Sequence, residues 1–167
     1  MTSPIGLLTL ACDEAGALRA LSFGQGAQAV ARRRYPHAEQ WQGETPGPVR
    51  EALEAYFGGD RGALARAPWA VEGDGFSERV WRLLTQIPAG QVWSYGEMAA
   101  RAASSEARPD GRFVSAARAA GAALNANPLP LVLPCHRVVG ADGALTGFGG
   151  GLEIKRWLLI HEGALLI

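Results

Sequence analysis

The chain has 167 residues, enough for one domain or two small ones, and 48% of them are apolar, which supports a packed core and argues against global disorder. Its 16 basic and 16 acidic side chains balance, which disfavours a broad basic face for nucleic acid but leaves room for a few placed arginines. The only cysteines, Cys12 and Cys135, disfavour a disulfide framework or a four-ligand zinc site, and we expect no metal or cofactor. No apolar run is long enough to span a membrane and no signal peptide is recognisable, so we expect a cytoplasmic protein without membrane contact.

The first part of the chain is predicted to contain two strands followed by two helices. The strands cover residues 7–12 and 17–23 and are joined by a turn over 13–16. The helices cover 28–34 and 49–57, and Gly58 and Gly59 end the second one. Proline and glycines within 66–75 mark a boundary, so we predict domains over 1–73 and 74–167.

The second part is predicted to be mainly helical. Apolar residues at helical spacing from Phe76 to Ile87 predict a helix that Pro88 ends. Ser94 and Glu97 form a capping-box signature in front of a helix over 95–102. A loop over 104–112 and a helix over 116–124 follow, and the two helices resemble a helix-turn-helix with an overlong turn.

The last third is predicted to hold a buried strand over 131–133, a turn over 141–143 and a glycine-rich loop over 146–151. A closing helix over 152–161 carries Ile154, Trp157 and Leu158 on one face. The glycine-rich loop lacks the Gly-Lys-Ser/Thr ending of a phosphate-binding loop, which favours a lid with Phe148 as its aromatic anchor.

Cys135 is the residue around which we look for function. It either closes a buried strand as a small hydrophobe or acts as a nucleophile, which requires a partner that draws the thiol proton. His136 is the nearest candidate, but neighbours on an extended chain point to opposite faces, so a bent backbone or a bridging water would have to connect them. Glu153 or Glu162 could orient the histidine, or both could be solvated charges at the helix ends.

Arg118 is the one charged residue in an alanine-rich helix. It either lies on the surface of a packed helix or projects from a helix slim enough to approach a flat partner. Gly121 costs about 1 kcal/mol relative to alanine in mid-helix, which indicates close approach at that point. The minor groove of DNA suits such a shape.

The motifs of the second half resemble one family. Pro-Cys-His-Arg-Val-Val at 134–139, Asn-Pro-Leu-Pro at 127–130, Gly-Phe-Gly-Gly-Gly-Leu at 147–152 and Lys-Arg-Trp-Leu-Leu at 155–159 are similar to the O6-alkylguanine-DNA alkyltransferases, also called methylated-DNA–protein-cysteine methyltransferases. The resemblance runs from about residue 76 to 163. It implies an α+β protein with a small ribonuclease-H-like N-terminal domain and a mainly helical, winged-helix-like C-terminal domain that contains a helix-turn-helix.

The resemblance also implies roles for single residues. Cys135 matches the alkyl acceptor, and His136 matches the base that reaches its thiol through water. Glu162 matches the acid that orients this histidine, and Asn127 matches the residue that stabilises the turn holding the cysteine. Tyr95 matches the tyrosine that donates a proton to the guanine ring and crowds the target phosphate.

Further residues are assigned to the DNA and to the flipped base. The helix over 116–124 becomes a recognition helix in the minor groove, from which an arginine replaces the extruded base. The residues that match the DNA contacts, the pocket wall and the lid are Arg118, Ala119, Gly121, Val138, Phe148 and Gly149.

The implied reaction takes an alkyl group from O6-alkylguanine, and also from O4-alkylthymine, in a base flipped out of double-stranded DNA. Nothing in the site can hydrolyse the resulting thioether, so each protein molecule, expected to be a monomer, acts once. Two alternatives remain open. One is a non-catalytic lesion sensor, although tryptophan replaces the cysteine in such relatives, and the other is a cysteine hydrolase that uses His37 or His161.

Departures from the family pattern carry their own expectations. The loop over 104–115 is longer than usual, and Phe148 and Gly149 stand where many relatives have tyrosine and serine, which bears on the preferred lesion. The zinc ligands of some animal relatives have no counterpart near Cys12 and His37. The balanced charge predicts modest DNA affinity with a shallow dependence on salt.

Overall fold

The computed structural model describes residues 1–24, 29, 32–33, 35–36, 43–103 and 116–166. The predicted helix over 28–34 falls largely outside these residues, and His37 and the loop over 104–115 fall outside them altogether. Contacts divide the chain into two compact units, Met1–Val71 with Pro128–Val132, and Glu72–Asn127 with Leu133–Ile167. The domains over 1–73 and 74–167 that the sequence pattern indicates stay a prediction.

The first unit is built on a three-stranded antiparallel sheet in the order β1-β2-β3. Its elements are β1 (Thr2–Ser3), β2 (Gly6–Cys12), β3 (Leu18–Phe23), helix α1 (Gly47–Phe57) and a 3-10 helix (Ala63–Arg66). The predicted hairpin is confirmed, because β2 pairs with β3 and the Asp13 carboxylate accepts a hydrogen bond from the Ala17 amide within the connecting turn. Leu8, Leu53 and Tyr56 are buried in the core of this unit.

A short segment from the second half of the chain belongs to this first unit. The Leu21 amide donates a hydrogen bond of 2.8 Å to the Pro128 carbonyl, and Leu129 and Leu131 are fully buried. The predicted strand over 131–133 is wrong, since these residues form a turn. Pro130 and Pro134 flank them, and the lack of amide donors at both prolines disfavours a strand ladder.

The second unit is mainly helical. Its elements are α2 (Gly75–Leu84), β4 (Trp93–Ser94), α3 (Tyr95–Ala103), α4 (Ala116–Asn125), a 3-10 helix (Cys135–Arg137), β5 (Val138–Val139) and α5 (Leu152–Glu162). Helix α3 packs against α4, as expected for the two helices of a helix-turn-helix, and α2 packs on both. The Trp81 indole nitrogen of α2 donates to the Ala123 carbonyl of α4 at 2.8 Å. Strands β4 and β5 pair in parallel.

Local sequence signals explain where the helices of this unit begin and end. The Asp74 carboxylate caps α2 by accepting from the Ser77 amide. The capping box before α3 is confirmed, because the Ser94 amide donates to the Glu97 carboxylate at 2.7 Å and the Glu97 amide donates to the Ser94 hydroxyl at 3.1 Å. None of the helices within the described ranges is long and apolar enough to cross a membrane.

Two helix predictions need correction. Helix α2 ends at Leu84 and not at Ile87, because the next three amides bond to carbonyls three residues back and tighten the last turn. Ile87 is nevertheless fully buried, as its apolar spacing predicted. Of the three residues predicted to share one face of α5, Leu158 is buried, whereas Ile154 and Trp157 are half-exposed. The face buried against the unit consists of Lys155, Leu158, Leu159 and Glu162.

Candidate active site

Cys135 lies at the start of the 3-10 helix Cys135–Arg137, here called the cysteine turn, and it is 8% exposed. The backbone is bent at this point, so the expectation that Cys135 and His136 point to opposite faces of an extended chain does not apply. The Cys135 amide donates to the Leu133 carbonyl at 2.7 Å, and the Asn127 side-chain amide donates to the same carbonyl at 2.8 Å. Asn127 therefore holds the segment that leads into the cysteine.

The Cys135 thiol is protonated at neutral pH in this structure. Burial raises the pKa of the thiol to about 11, although a hydrogen bond from Asn127 and the positive charge of Lys155 act to lower it. A nucleophile needs the thiolate, so the site must supply a base that accepts the thiol proton.

His136 and Glu162 form a fully buried hydrogen-bonded pair. The distance from His136 Nε2 to Glu162 Oε1 is 2.9 Å, and both side chains are 0% exposed. An ionised carboxylate only accepts hydrogen bonds, so the proton on the ring lies on Nε2. In its neutral form the ring carries its lone pair on Nδ1, which is then the nitrogen able to accept a proton.

Arg137 completes this charged cluster. Its Nε donates to Glu162 Oε2 and its Nη2 to Glu162 Oε1, both at 2.8 Å, and its Nη1 donates to the Ile87 carbonyl at 2.5 Å. Burial alone would raise the pKa of the Glu162 carboxyl, but the hydrogen bonds and charges of His136 and Arg137 outweigh it and lower the pKa to about 2. Glu162 is therefore ionised throughout the neutral range.

The loop over 146–149 is attached to the site by hydrogen bonds and an aromatic contact. The Tyr95 hydroxyl lies 3.3 Å from the Thr146 carbonyl oxygen and 3.5 Å from that of Gly147. The Phe148 ring meets the His136 ring edge-on, with centroids 6.3 Å apart. A side chain at Gly149 would find no atom of the described residues within 4 Å of its Cβ, so the space beside this glycine is open with respect to that part of the chain.

The residues assigned to DNA contact lie along one side of α4. Arg118 is exposed, and Ala119 and Gly121 are half-exposed, whereas Ala120 and Leu124 on the other side are buried. A Cβ built on Gly121 would meet nothing within 4 Å, so packing within the described part of the chain does not require a glycine there. Because the side chains of Ala119 and Gly121 are small, another surface can approach the helix backbone closely on this side.

Comparison with known proteins decides the family. A family model described as 6-O-methylguanine DNA methyltransferase, DNA binding domain, matches residues 75–164, and one described as 6-O-methylguanine DNA methyltransferase, ribonuclease-like domain, matches residues 1–68. The chain belongs to the 6-O-methylguanine DNA methyltransferase family. The resemblance found in its motifs is thereby confirmed, as is the expected combination of a small ribonuclease-like N-terminal domain with a helical C-terminal one.

Similar members of this methyltransferase family come from bacteria and archaea. A methylated-DNA–protein-cysteine methyltransferase of Salmonella typhimurium is 40% identical over 172 residues, covering 100% of this chain and 95% of the relative. One of Methanosarcina acetivorans is 39% identical over 165 residues, covering 97% and 95%. The crystal structure of Mycobacterium tuberculosis OGT in complex with DNA is 33% identical, covers 98% of this chain and 91% of that one, and has a TM-score of 0.74.

Sequence reasoning missed two residues of the site in this methyltransferase. Arg137 directly follows the Cys-His pair, and its position in that motif was the available signal. Lys155 is fully buried in α5, three and four residues before Leu158 and Leu159, so its spacing places it on the apolar face.

Glu153 and His161, the other candidate residues described by the structure, both lie on α5. Glu153, the alternative acid, is exposed at the start of α5. His161 stacks on Trp157 with ring centroids 4.8 Å apart. Across the residues that the structure describes, no group of three or more His, Cys, Asp or Glu side chains could hold a metal ion.

Proposed function

We propose that this protein repairs DNA by transferring the alkyl group of O6-alkylguanine, and also of O4-alkylthymine, to the sulfur of Cys135. Transfer of an alkyl group from DNA to a protein cysteine is the activity of the methylated-DNA–protein-cysteine methyltransferase class to which its relatives belong. The observation that carries the assignment to Cys135 is its position on a bent turn next to the buried His136–Glu162 pair.

The partner is double-stranded DNA that carries an alkylated base. The solved relative from Mycobacterium tuberculosis is described in complex with DNA, and the family model that matches residues 75–164 is a DNA-binding domain. We place α4 in the minor groove, because its exposed side carries small residues and one long cation, Arg118. The target base must leave the stack to reach a buried thiol, at a cost of a few kcal/mol, and Arg118 takes its place.

Two side chains, His136 and Tyr95, move protons in the proposed reaction. His136 Nδ1 receives the Cys135 proton through a water, and the ionised Glu162 stabilises the imidazolium that forms. The sulfur attacks the alkyl carbon, the S–C bond forms, and the bond from that carbon to the guanine oxygen breaks. Tyr95 donates a proton to the guanine ring so that the oxygen leaves more readily. These steps leave a thioether, a guanine that carries the Tyr95 proton, an imidazolium at His136 and a phenolate at Tyr95. Proton transfer through solvent from His136 to Tyr95 restores both side chains, so the guanine gains one proton in place of the one that the thiol loses.

The loop over 146–149 and the strand β5 form the base pocket in this proposal. Val138 provides the wall, and Phe148 and Gly149 provide the lid, where the open space beside Gly149 leaves room for substituents larger than methyl. The thioether has no route to hydrolysis, so one monomer removes one alkyl group and is consumed. The acceptor must be a reduced thiol, which fits a cytoplasmic location.

Incubation with a duplex that carries labelled O6-methylguanine tests the proposal. We expect one label per protein molecule, complete loss of transfer in Cys135→Ser with DNA binding retained, and normal transfer in the matched control Cys12→Ser. Cys12 is the half-buried cysteine of β2 and serves to exclude a general effect of thiol removal.

Three outcomes would overturn the proposal. Continued turnover beyond one equivalent would indicate a hydrolase, and lesion binding without transfer would indicate a lesion sensor. Collapse of DNA binding in Cys135→Ser would show that Cys135 is a structural residue.

A further inference from the structure

Lys155 is a fully buried lysine in the middle of α5. A buried ammonium is rare in proteins, because removing it from water is costly unless hydrogen bonds replace the lost solvent. Its Nζ donates to the Val138 carbonyl at 2.6 Å and to the Thr146 carbonyl at 2.7 Å. Its Nζ also lies 6.0 Å from the centroid of the Tyr95 ring. The proposed chemistry has no step for this residue.

The contacts of Lys155 join three separate parts of the site. Val138 directly follows the cysteine turn, and Thr146 begins the loop that carries Phe148. The Thr146 carbonyl is also the acceptor closest to the Tyr95 hydroxyl, at 3.3 Å. One ammonium group therefore fixes the end of the cysteine turn, the start of the loop and the acceptor of the tyrosine.

We propose that Lys155 is a positioning residue for alkyl transfer, whose ammonium holds the loop over 146–149 against the cysteine turn and stabilises the Cys135 thiolate. This inference rests on the proposed function, since it concerns the geometry and charge of the same site. The positive charge of Lys155 favours the ionised form of the thiol, and the thiolate in turn favours the ammonium. The lysine acts through other groups and does not touch the alkyl carbon.

The pH dependence of this arrangement has a definite sign. Burial lowers the pKa of Lys155 to about 8, whereas the negative charge of a Cys135 thiolate acts to raise it. The titratable groups that face it are the Cys135 thiol from the cysteine turn and the Tyr95 phenol from α3, while Val138 and Thr146 present carbonyls. Above about pH 8 the ammonium is lost, and with it the charge that favours the thiolate.

Stability changes with pH in the opposite direction. The pKa of Lys155 in the folded protein lies below its ordinary value of 10.5, so the unfolded chain binds more protons between about pH 8 and 10.5. The contribution of this lysine to the free energy of unfolding therefore rises with pH in that window. If Lys155 had only a structural role, its effects on activity and on stability would change with pH in the same direction. If it positions and charges the site, its effect on the thiol falls above about pH 8 while its contribution to stability rises.

The experiment compares Lys155→Met, Lys155→Arg and the matched control Arg156→Met, which removes the exposed cation next to it on α5. Two rates are measured for each folded protein from pH 6 to 10: methyl transfer from an O6-methylguanine duplex, and alkylation of Cys135 by iodoacetamide without DNA. We expect Lys155→Met to slow methyl transfer about 10- to 100-fold and to shift the alkylation profile to higher pH. Arg156→Met should match the wild type, and Lys155→Arg should keep the wild-type alkylation rate at neutral pH without the change near pH 8.

The readouts separate failure of this inference from failure of the proposed function. Absence of methyl transfer by the wild type would count against the function, whereas iodoacetamide reports the influence of Lys155 on Cys135 without any DNA. Wild-type alkylation that shows no inflection near pH 8 would overturn the role of Lys155, even if Lys155→Met fails to fold. A folded Lys155→Met with the wild-type alkylation profile and transfer rate would overturn it as well.

Discussion

Removing the charge of Glu162 is expected to destabilise the protein strongly, because this carboxylate neutralises Arg137 and orients His136 in a buried cluster. It receives three hydrogen bonds from these two side chains. Its pKa falls from 4.5 to about 2, which corresponds to about 3 kcal/mol in favour of the ionised form. This value agrees with the roughly 3–5 kcal/mol that removal of one partner from a buried ion pair costs.

Denaturant unfolding of Glu162→Gln at pH 7 and pH 3.5 measures this cost in unfolding free energy. The matched control is Glu153→Gln, which neutralises the exposed glutamate at the other end of α5. At pH 7 we expect Glu162→Gln to lose about 3 kcal/mol of unfolding free energy relative to the control.

The sign of the pH effect follows from the lowered pKa. A carboxyl with a pKa below its ordinary value stabilises the folded state above pH 4.5, and this contribution is lost as the pH falls toward about 2. The wild type should therefore lose about 1 kcal/mol of this contribution by pH 3.5, so that the difference between the wild type and Glu162→Gln narrows. The electrostatic account of the cluster would be refuted if the wild type and Glu162→Gln were equally stable at pH 7. A difference in their unfolding free energies that does not change with pH would refute it as well.

Two further substitutions test the chemistry and the cysteine turn. Tyr95→Phe removes the proton donor and should slow transfer about 100-fold in single-turnover kinetics while DNA affinity stays the same, so an unchanged rate would exclude proton donation. Asn127→Ala removes the 2.8 Å hydrogen bond to the Leu133 carbonyl and should cost about 1 kcal/mol in denaturant unfolding and slow transfer. Wild-type stability and transfer rate in Asn127→Ala would show that the cysteine turn does not depend on the Asn127 hydrogen bond.

Local chemistry explains which elements could be predicted from the sequence. The hairpin of β2 and β3, the capping box of Ser94 and Glu97 and the helical spacing in α2 each depend on residues close together in the chain. The apolar run over 131–133 is compatible both with a buried strand and with a buried turn. The two prolines beside it, Pro130 and Pro134, were the signal that favoured the turn.

Partners distant in sequence explain what could not be predicted. The guanidinium of Arg137 is held by the Ile87 carbonyl, 50 residues away, and by Glu162, 25 residues away. Lys155 is held by the carbonyls of Val138 and Thr146, and no sequence pattern shows where a backbone carbonyl will be available. Glu162 became a candidate as a helix-end acid, but only the family resemblance favoured it over Glu153.

Intact mass spectrometry of the protein after exposure to excess O6-methylguanine duplex tests the central claim most directly. We expect the mass to increase by one CH2 unit per molecule, with the modification on Cys135 in peptide mapping and no further increase with more substrate or time. An unchanged mass while the lesion disappears, or a methyl group on any other residue, would contradict the account.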